Sequence, residues 1–515
     1  MWGLGMADRL YGPSTSAMKV VQAQIWDEDP EIRGQAAKVL GEARFEPAYE
    51  DLHNLAFDMD ARVSYHALMG LGKLGNPDAI DAVAEVLWTN NNEDKFIRHA
   101  CVQAMASIGD RNALINLLVD AQPAVRLGAV LALRSMGDDA VALALRDPDP
   151  FIAAEAARAI HDSEMESVMP DLANLADGLS MPDTREGRSI GRRVIEAAVR
   201  RGEPKDAAAV AQIATDAAAP PIIRLEAARA LATWASPGPR DRVTGRFRAM
   251  SPRNPASIAD AVGAWLPQLA AEQGELGEQG RAAAMALGVD LDPRGVLAVL
   301  RDPSQPIASR IDCLAYLRGH ETLGSEAITA ALSSEHASVR AAAMRAVEDA
   351  EAALLLADAA VEGGTLPEQR AAFELIAVHR GPESLSGLQD TMPPEARLDL
   401  LEAMHPGESS EAKWAAALAG GDGDRGRWIV EHHPSASCVR CHLVGGRGGI
   451  AGPSLDGVAS RLSREALLES VIDPQKVIAE GYGQVSAMPE MRETLTPREV
   501  RDVVAFLSTC KEAPS

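Results

Sequence analysis

Aromatic residues make up only 4% of this 515-residue chain. Sheet-rich architectures draw on Tyr, Phe and Trp for their strands, so the scarcity counts against them. No run of about 18 consecutive apolar residues occurs, which leaves no transmembrane helix to expect. Cysteine is also sparse: Cys101, Cys313, Cys438, Cys441 and Cys510 are too few and too unevenly spaced for a disulfide framework. Cys101 and Cys313 fall in Ala-rich helical contexts and read as buried thiols, and Cys510 reads as a plain thiol at the end of the last helix. Basic residues are outnumbered, 50 Lys and Arg against 74 Asp and Glu, for a net charge of −24. That balance excludes a nucleic-acid partner, which needs clustered cations, and suits a basic one. Met1 to Arg9 lacks a basic segment leading into an apolar one, so nothing in the chain as written is expected to export it.

What the chain does hold is apolar residues at helical spacing, repeated. Ile32-Arg33-Gly34-Gln35-Ala36-Ala37 lines up with segments opening at Val63, Ile97 and Val125, each followed by a glycine (Gly41, Gly75, Gly109, Gly137) that reads as the end of a helix. A second apolar helix follows, as in Asp78 to Leu87, and Asp and Pro punctuate the units, as in Asp29-Pro30 and Asp147-Pro148-Asp149-Pro150. One helix pair cannot cover its own apolar stripe, whereas stacked pairs can, so a solenoid is expected. The signature returns at Ile223-Arg224 and Val339-Arg340. Between them, Ser236 to Arg248 breaks the period and carries four arginines; it reads as an exposed, partly extended, solvated basic insertion, with a docking patch as the alternative. The expected organisation is helical repeats over 1–235, the insertion over 236–256, further repeats over 257–418, and a separate domain over 419–515. His53, His66, His99, His161, His320, His336 and His379 are scattered singly and read as structural or solvated.

Cys438-Val439-Arg440-Cys441-His442 carries the chemistry. Two cysteines three apart with His directly after read as a c-type haem attachment site: both thiols can add to the porphyrin vinyl groups, and His442 then lies under the iron. A redox-active CxxC or a zinc site are the alternatives, and zinc would need two more soft ligands. Gly446, Gly448, Gly449 and Gly452-Pro453 follow and let backbone pass close to a ring edge. Met488, in Ser486-Ala487-Met488-Pro489, is the expected second iron ligand, with Met491 as the fallback. Thr496-Pro497-Arg498-Glu499 reads as the capped start of a final helix, and Gly426 would let the first and last helices of this domain cross closely beside Phe506.

Gly423-Asp424-x-Gly426, CxxCH, Gly-Pro, Met-Pro and the Leu-Thr-x-x-Glu-Val terminal helix together resemble a class I cytochrome c, and the Val-Arg-x-x-Ala units resemble HEAT repeats. The resemblance implies His442 as proximal and Met488 as distal iron ligand, and a hydrogen bond from the His442 ring to the Pro453 carbonyl. The fold class expected is all-α, a HEAT-like α-solenoid followed by a small cytochrome c domain. The whole chain resembles the PVC-type haem-binding CxxCH proteins, to whose likeness Arg240-Asp241-Arg242-Val243-Thr244-Gly245-Arg246 adds. Many of these also carry an amino-terminal propeller resembling sugar dehydrogenases and an export signal. Trp2-Gly3-Leu4-Gly5 looks like the tail of such an earlier element, so the chain is expected to begin mid-domain.

The function expected is electron transfer through one covalent haem c, with the repeats presenting it to a redox protein or dehydrogenase, in the periplasm or otherwise outside the cytoplasm. Two alternatives stand beside it. One is a repeat scaffold whose haem site stays empty; the other is a haem sensor or enzyme with an open iron position.

Overall fold

The structure, a computed structural model, describes residues 15–178 and 182–511. The Trp2–Gly5 segment therefore lies outside the described residues. The fold is all-α, and the chain forms two compact units, Met1–Asp292 and Pro293–Ser515.

In the first unit, successive repeats align helices α1 (Pro30–Glu42), α2 (Ala61–Leu74), α3 (Lys95–Ile108), α4 (Pro123–Met136) and α5 (Pro150–Asp162). Aspartates start four of them: the carboxylates of Asp29, Asp60, Asp94 and Asp149 accept backbone N–H groups of the first turn at 2.7–2.9 Å. Each such cap stabilises its helix by about 1 kcal/mol. Gly75, Gly109 and Gly137 end three helices in the left-handed conformation, with φ of 72°, 74° and 68°. Gly41 departs from the expected pattern. It lies inside α1, where a Cβ would come within 2.5 Å of the Gly70 Cα, so its small size serves packing between neighbouring repeats and not helix termination. Val63, Leu68 and Leu71 are fully buried between repeats, each contributing about 1.5–3 kcal/mol.

The basic insertion is only partly solvated: Arg240, Arg246 and Phe247 are exposed, while Asp241 and Arg248 are buried. Arg240 and Phe247 form an antiparallel bridge, and the segment between them folds back onto α5, α6 (Arg185–Arg201) and α7 (Pro221–Ala232). Its arginines are spent internally. Arg242 reaches Glu226 at 3.2 Å, Arg246 donates to the Asp162 carbonyl at 2.8 Å, and buried Arg248 holds Glu164 at 2.8 Å and Asp241 at 3.0 Å. Asp241, also buried, accepts from the backbone N–H groups of Val243 and Thr244. His161, which the sequence shows as a solitary residue, is fully buried between two carboxylates. Its Nδ1 is 2.9 Å from Asp162 and its Nε2 is 3.1 Å from Asp241, the second contact being an ion pair without good hydrogen-bond alignment.

Burial alone would lower the His161 pKa, but the flanking carboxylates outweigh it and raise the pKa above its ordinary value of 6.5. Asp162 and Asp241 are held well below the usual carboxylate range, their own burial being overcome by His161 and its neighbours. The stabilisation from His161 is therefore present in full below its unfolded-state pKa and lost as pH rises through the raised one. His161→Ala should lower the denaturation midpoint more at about pH 6 than at about pH 9. An equal loss at both values, followed by urea unfolding, would show that His161 stays neutral throughout.

In the second unit, α8 (Pro394–Met404) and α9 (Glu411–Ala416) lead into the carboxy-terminal domain, built on α10 (Gly423–His432), α11 (Arg464–Ile472) and α12 (Pro497–Leu507). Ile429, Val430, Val500, Val503, Val504 and Leu507 pack together, and Leu398 and Trp414 from α8 and α9 belong to the same core. Buried Asp399 on α8 accepts from Arg498 at 2.9 Å and Arg501 at 2.8 Å, both on α12. Thr496 caps α12 reciprocally with Glu499. The only strands among the described residues, β1 (Leu443–Val444) and β2 (Arg447–Gly448), make a short antiparallel hairpin. No helix among the described residues is long and apolar enough to cross a membrane.

Candidate haem site

Cys438 to Arg440 forms a single 3-10 turn, and the His442 N–H donates to the Cys438 carbonyl at 3.0 Å, which closes the motif into one compact loop. Both cysteines are free thiols. Cys441 is exposed, and Cys438 is half-buried against the domain core, where burial pushes its thiol pKa up. The chain after the motif crosses back over it. Gly449 N–H bonds the Val439 carbonyl at 2.9 Å and Gly452 N–H bonds that of Cys441 at 2.8 Å. The closeness explains the glycines: a Cβ on Gly448 or Gly449 would come within 2.2 or 2.0 Å of a backbone oxygen of the motif.

The His442 ring is fixed on two sides. Its Nδ1 donates to the Pro453 carbonyl at 2.6 Å, and a Cβ on Gly452 would lie 2.6 Å from its Cε1. With Nδ1 engaged, Nε2 is the nitrogen available to a metal. The chemistry of this donor set fits haem c: two thiols and an imidazole on one turn, beside uncovered apolar side chains. Ile450 on the loop after the motif is 81% exposed, and Val485, three residues before Met488, is 76% exposed. Among the described residues no cluster of three or more His, Cys, Asp or Glu able to hold a metal ion occurs, which a zinc reading of the CxxC would require. His432 stacks on Trp428, and His433 Nδ1 accepts the Ala436 N–H at 3.0 Å, so the upstream pair serves its own helix end.

The structure separates the two methionines. Met491 is 4% exposed and lies inside the core, whereas Met488 packs at its edge, as Cys438 does. Gln475 is a positioning residue that the sequence reading missed. Its side-chain amide donates to the Ser486 carbonyl at 2.9 Å and accepts the Ser486 N–H at 3.1 Å, clamping the loop that carries Met488. Asp456 was missed as well; it accepts from Gly445 and Gly446 at 2.7 and 3.1 Å and pins the hairpin after the motif. The two consecutive left-handed glycines in that turn were the available signal.

Residues 18–106 match the family of HEAT repeats, and residues 431–511 match the cytochrome c family. This chain carries HEAT-like repeats followed by a cytochrome c domain. The cofactor of the cytochrome c domain is accordingly haem c. Among curated proteins, the bilin biosynthesis protein PecE of Mastigocladus laminosus is 35% identical over 111 residues, which is 20% of this chain and 40% of that protein. The chain thus spans less than half of that relative's length. Among solved structures, the CpcE–CpcF complex of phycocyanin lyase from Nostoc sp. PCC7120 matches at 23% identity over 43% of this chain and 89% of that one, with a TM-score of 0.23. Human deoxyhypusine hydroxylase matches at 17% identity over 45% of this chain and 88% of that one, with a TM-score of 0.20.

The cytochrome c domain also depends on the crossing of α10 and α12. A Cβ at Gly426 would lie 1.9 Å from the Asp502 carbonyl oxygen, which is helix backbone and cannot step aside. Gly426→Ala should destabilise the domain by about 1–3 kcal/mol. Gly423→Ala, whose Cβ would meet nothing nearer than 3.9 Å, should be neutral or mildly stabilising. Denaturant midpoints of the two variants check the contrast.

Proposed function

We propose that this protein transfers single electrons through one haem c joined by thioether bonds to Cys438 and Cys441, with the helical repeats holding the cytochrome c domain for a redox protein or dehydrogenase. Bound haem c supplies a one-electron ferrous–ferric couple. His442 would serve as the proximal ligand through Nε2, with Pro453 fixing the ring, and Met488 as the distal ligand; Met491 is committed to the core. A site closed on both faces favours electron transfer over ligand chemistry. The observation that carries the reading is the His442 imidazole, held by the Pro453 carbonyl on the same turn as two free cysteines.

The same reading places the working protein outside the cytoplasm, where thioether attachment of haem is carried out. The test is to express the chain with and without an added export signal in a host competent to attach haem c. Mass spectrometry should find the Cys438–Cys441 peptide carrying haem mass when the chain is exported. The exported peptide returning unmodified would leave the repeats as a scaffold and remove the electron-transfer role.

A further inference from the structure

One edge of the amino-terminal unit bears large apolar side chains that remain exposed among the described residues. Trp26 is 70% exposed, Phe57 43%, Phe96 62%, Val119 85% and Phe151 47%. Single exposed apolar residues are ordinary on any surface. These recur in register with the repeats. Trp26, Phe57 and Val119 each stand three residues before the residue that opens α1, α2 and α4 (Asp29, Asp60, Gln122). Phe96 and Phe151 each stand two residues after the residue that opens α3 and α5 (Asp94, Asp149). Every one of five successive repeats therefore puts a large apolar group at the same end of the same helix. A chain with only seven Phe and seven Trp places four of them here.

Side-chain bonds show that these ends lie next to one another. Arg33 in α1 holds Asp58 ahead of α2 at 2.9 Å, Asn91 ahead of α3 accepts from Gln122 ahead of α4 at 3.0 Å, and Arg126 in α4 holds Asp147 ahead of α5 at 2.8 Å. Between α2 and α3, a Cβ on Gly72 would come within 2.7 Å of the Ala104 Cα, so these helices too are direct neighbours. The rungs thus stand on consecutive, directly packed helices.

The electrostatics of this edge select the partner. Residues 15–178 hold 27 Asp and Glu against 13 Lys and Arg. Three arginines along the ladder are held by carboxylates, Arg33 by Asp58, Arg62 by Glu31 and Arg126 by Asp147, and Lys95 lies over the Phe96 ring. The net surplus is nonetheless acidic, with Glu28 and Glu93 exposed. The spacing also selects. Packed neighbouring helices lie about 8–10 Å apart, and a chain in the polyproline II conformation advances about 3.1 Å per residue with every third side chain on one face, so one repeat corresponds to about three residues of such a partner.

We propose that this edge binds an extended cationic segment of another protein, with an apolar side chain at every third residue on the aromatic rungs and Lys or Arg between them. The inference is independent of haem attachment.

The probe is a fluorescent peptide of about five Val-Lys-Lys triplets, compared by anisotropy with a scrambled peptide of the same composition. The full chain should bind the triplet peptide at least about tenfold more tightly than the scrambled one. The combined variant Trp26→Ala, Phe57→Ala, Phe96→Ala and Phe151→Ala should lose that preference while keeping the helical circular dichroism of the wild type. Should that variant misfold, Glu28→Lys with Glu93→Lys carries the test, because both side chains are exposed; unchanged affinity there overturns the proposal. So does equal binding of both peptides by the wild type. Adsorption of the wild type to neutral phosphatidylcholine vesicles, without preference for the triplet peptide, would also overturn it and mark the ladder as a membrane-facing surface.

Discussion

Cys438→Ala combined with Cys441→Ala is expected to abolish covalent haem completely, leaving an exported chain that is helical over its repeats and colourless after denaturing electrophoresis. The two thiols are unpaired, lie on one turn and make no disulfide, so no structural bond is lost with them. The readout is haem-linked peroxidase staining of the denatured band, alongside circular dichroism of the native protein. A variant that still stained would place the attachment elsewhere. Each single replacement should leave one thioether, and therefore a stained band of reduced yield. The exposed Cys441 and the half-buried Cys438 predict different sensitivities: loss of Cys438 also removes a packing contact with the core, so Cys438→Ala should be the less stable of the two.

Met488→Ala is expected to lower the reduction potential by on the order of a hundred millivolts or more and to open the iron to added ligands. The physical basis is that a thioether favours the ferrous state and fills the sixth position, and alanine does neither. Potentiometric titration and the binding of added imidazole or cyanide check it. Met491→Ala separates the candidates. Met491 is 4% exposed within the core, so its loss should cost about 2–5 kcal/mol of stability with little change of potential. The reverse pattern, a lowered potential in Met491→Ala and none in Met488→Ala, would reassign the ligand. Gln475→Ala, which frees the Met488 loop from its clamp on Ser486, should produce a milder version of the Met488 result, detectable as faster imidazole binding.

Much of this was readable from the chain because its signals are local. Left-handed glycines end three of the repeat helices at similar offsets, and CxxCH is a contiguous motif, so sequence spacing alone identified them. The buried half of the insertion over 236–256 was missed for the opposite reason. Its arginines look solvated in sequence, but their partners lie far along the chain, Asp162 and Glu226 in other helices and Glu164 in the turn after α5, and Arg248 reaches Glu164 across 84 residues. Gly41 looked like a terminator because Gly75 and Gly109 are; only the approach of Gly70 shows that its work is packing. Gln475 was invisible because it acts on backbone groups, which leave no mark in composition, and Asp456 left only the Gly445-Gly446 pair as a trace.

For the proposed electron transfer, the placement of Asp399 has a consequence. This buried carboxylate on α8 grips two arginines of the terminal helix, and Leu398 and Trp414 are shared with the cytochrome core. A redox head on a loose tether searches space for its acceptor, and its transfer rate depends on linker length. Here the junction is welded, so the tunnelling distance to any acceptor is decided by where that acceptor docks, and lengthening the chain between Met404 and Gly423 would unseat the core before it granted any reach.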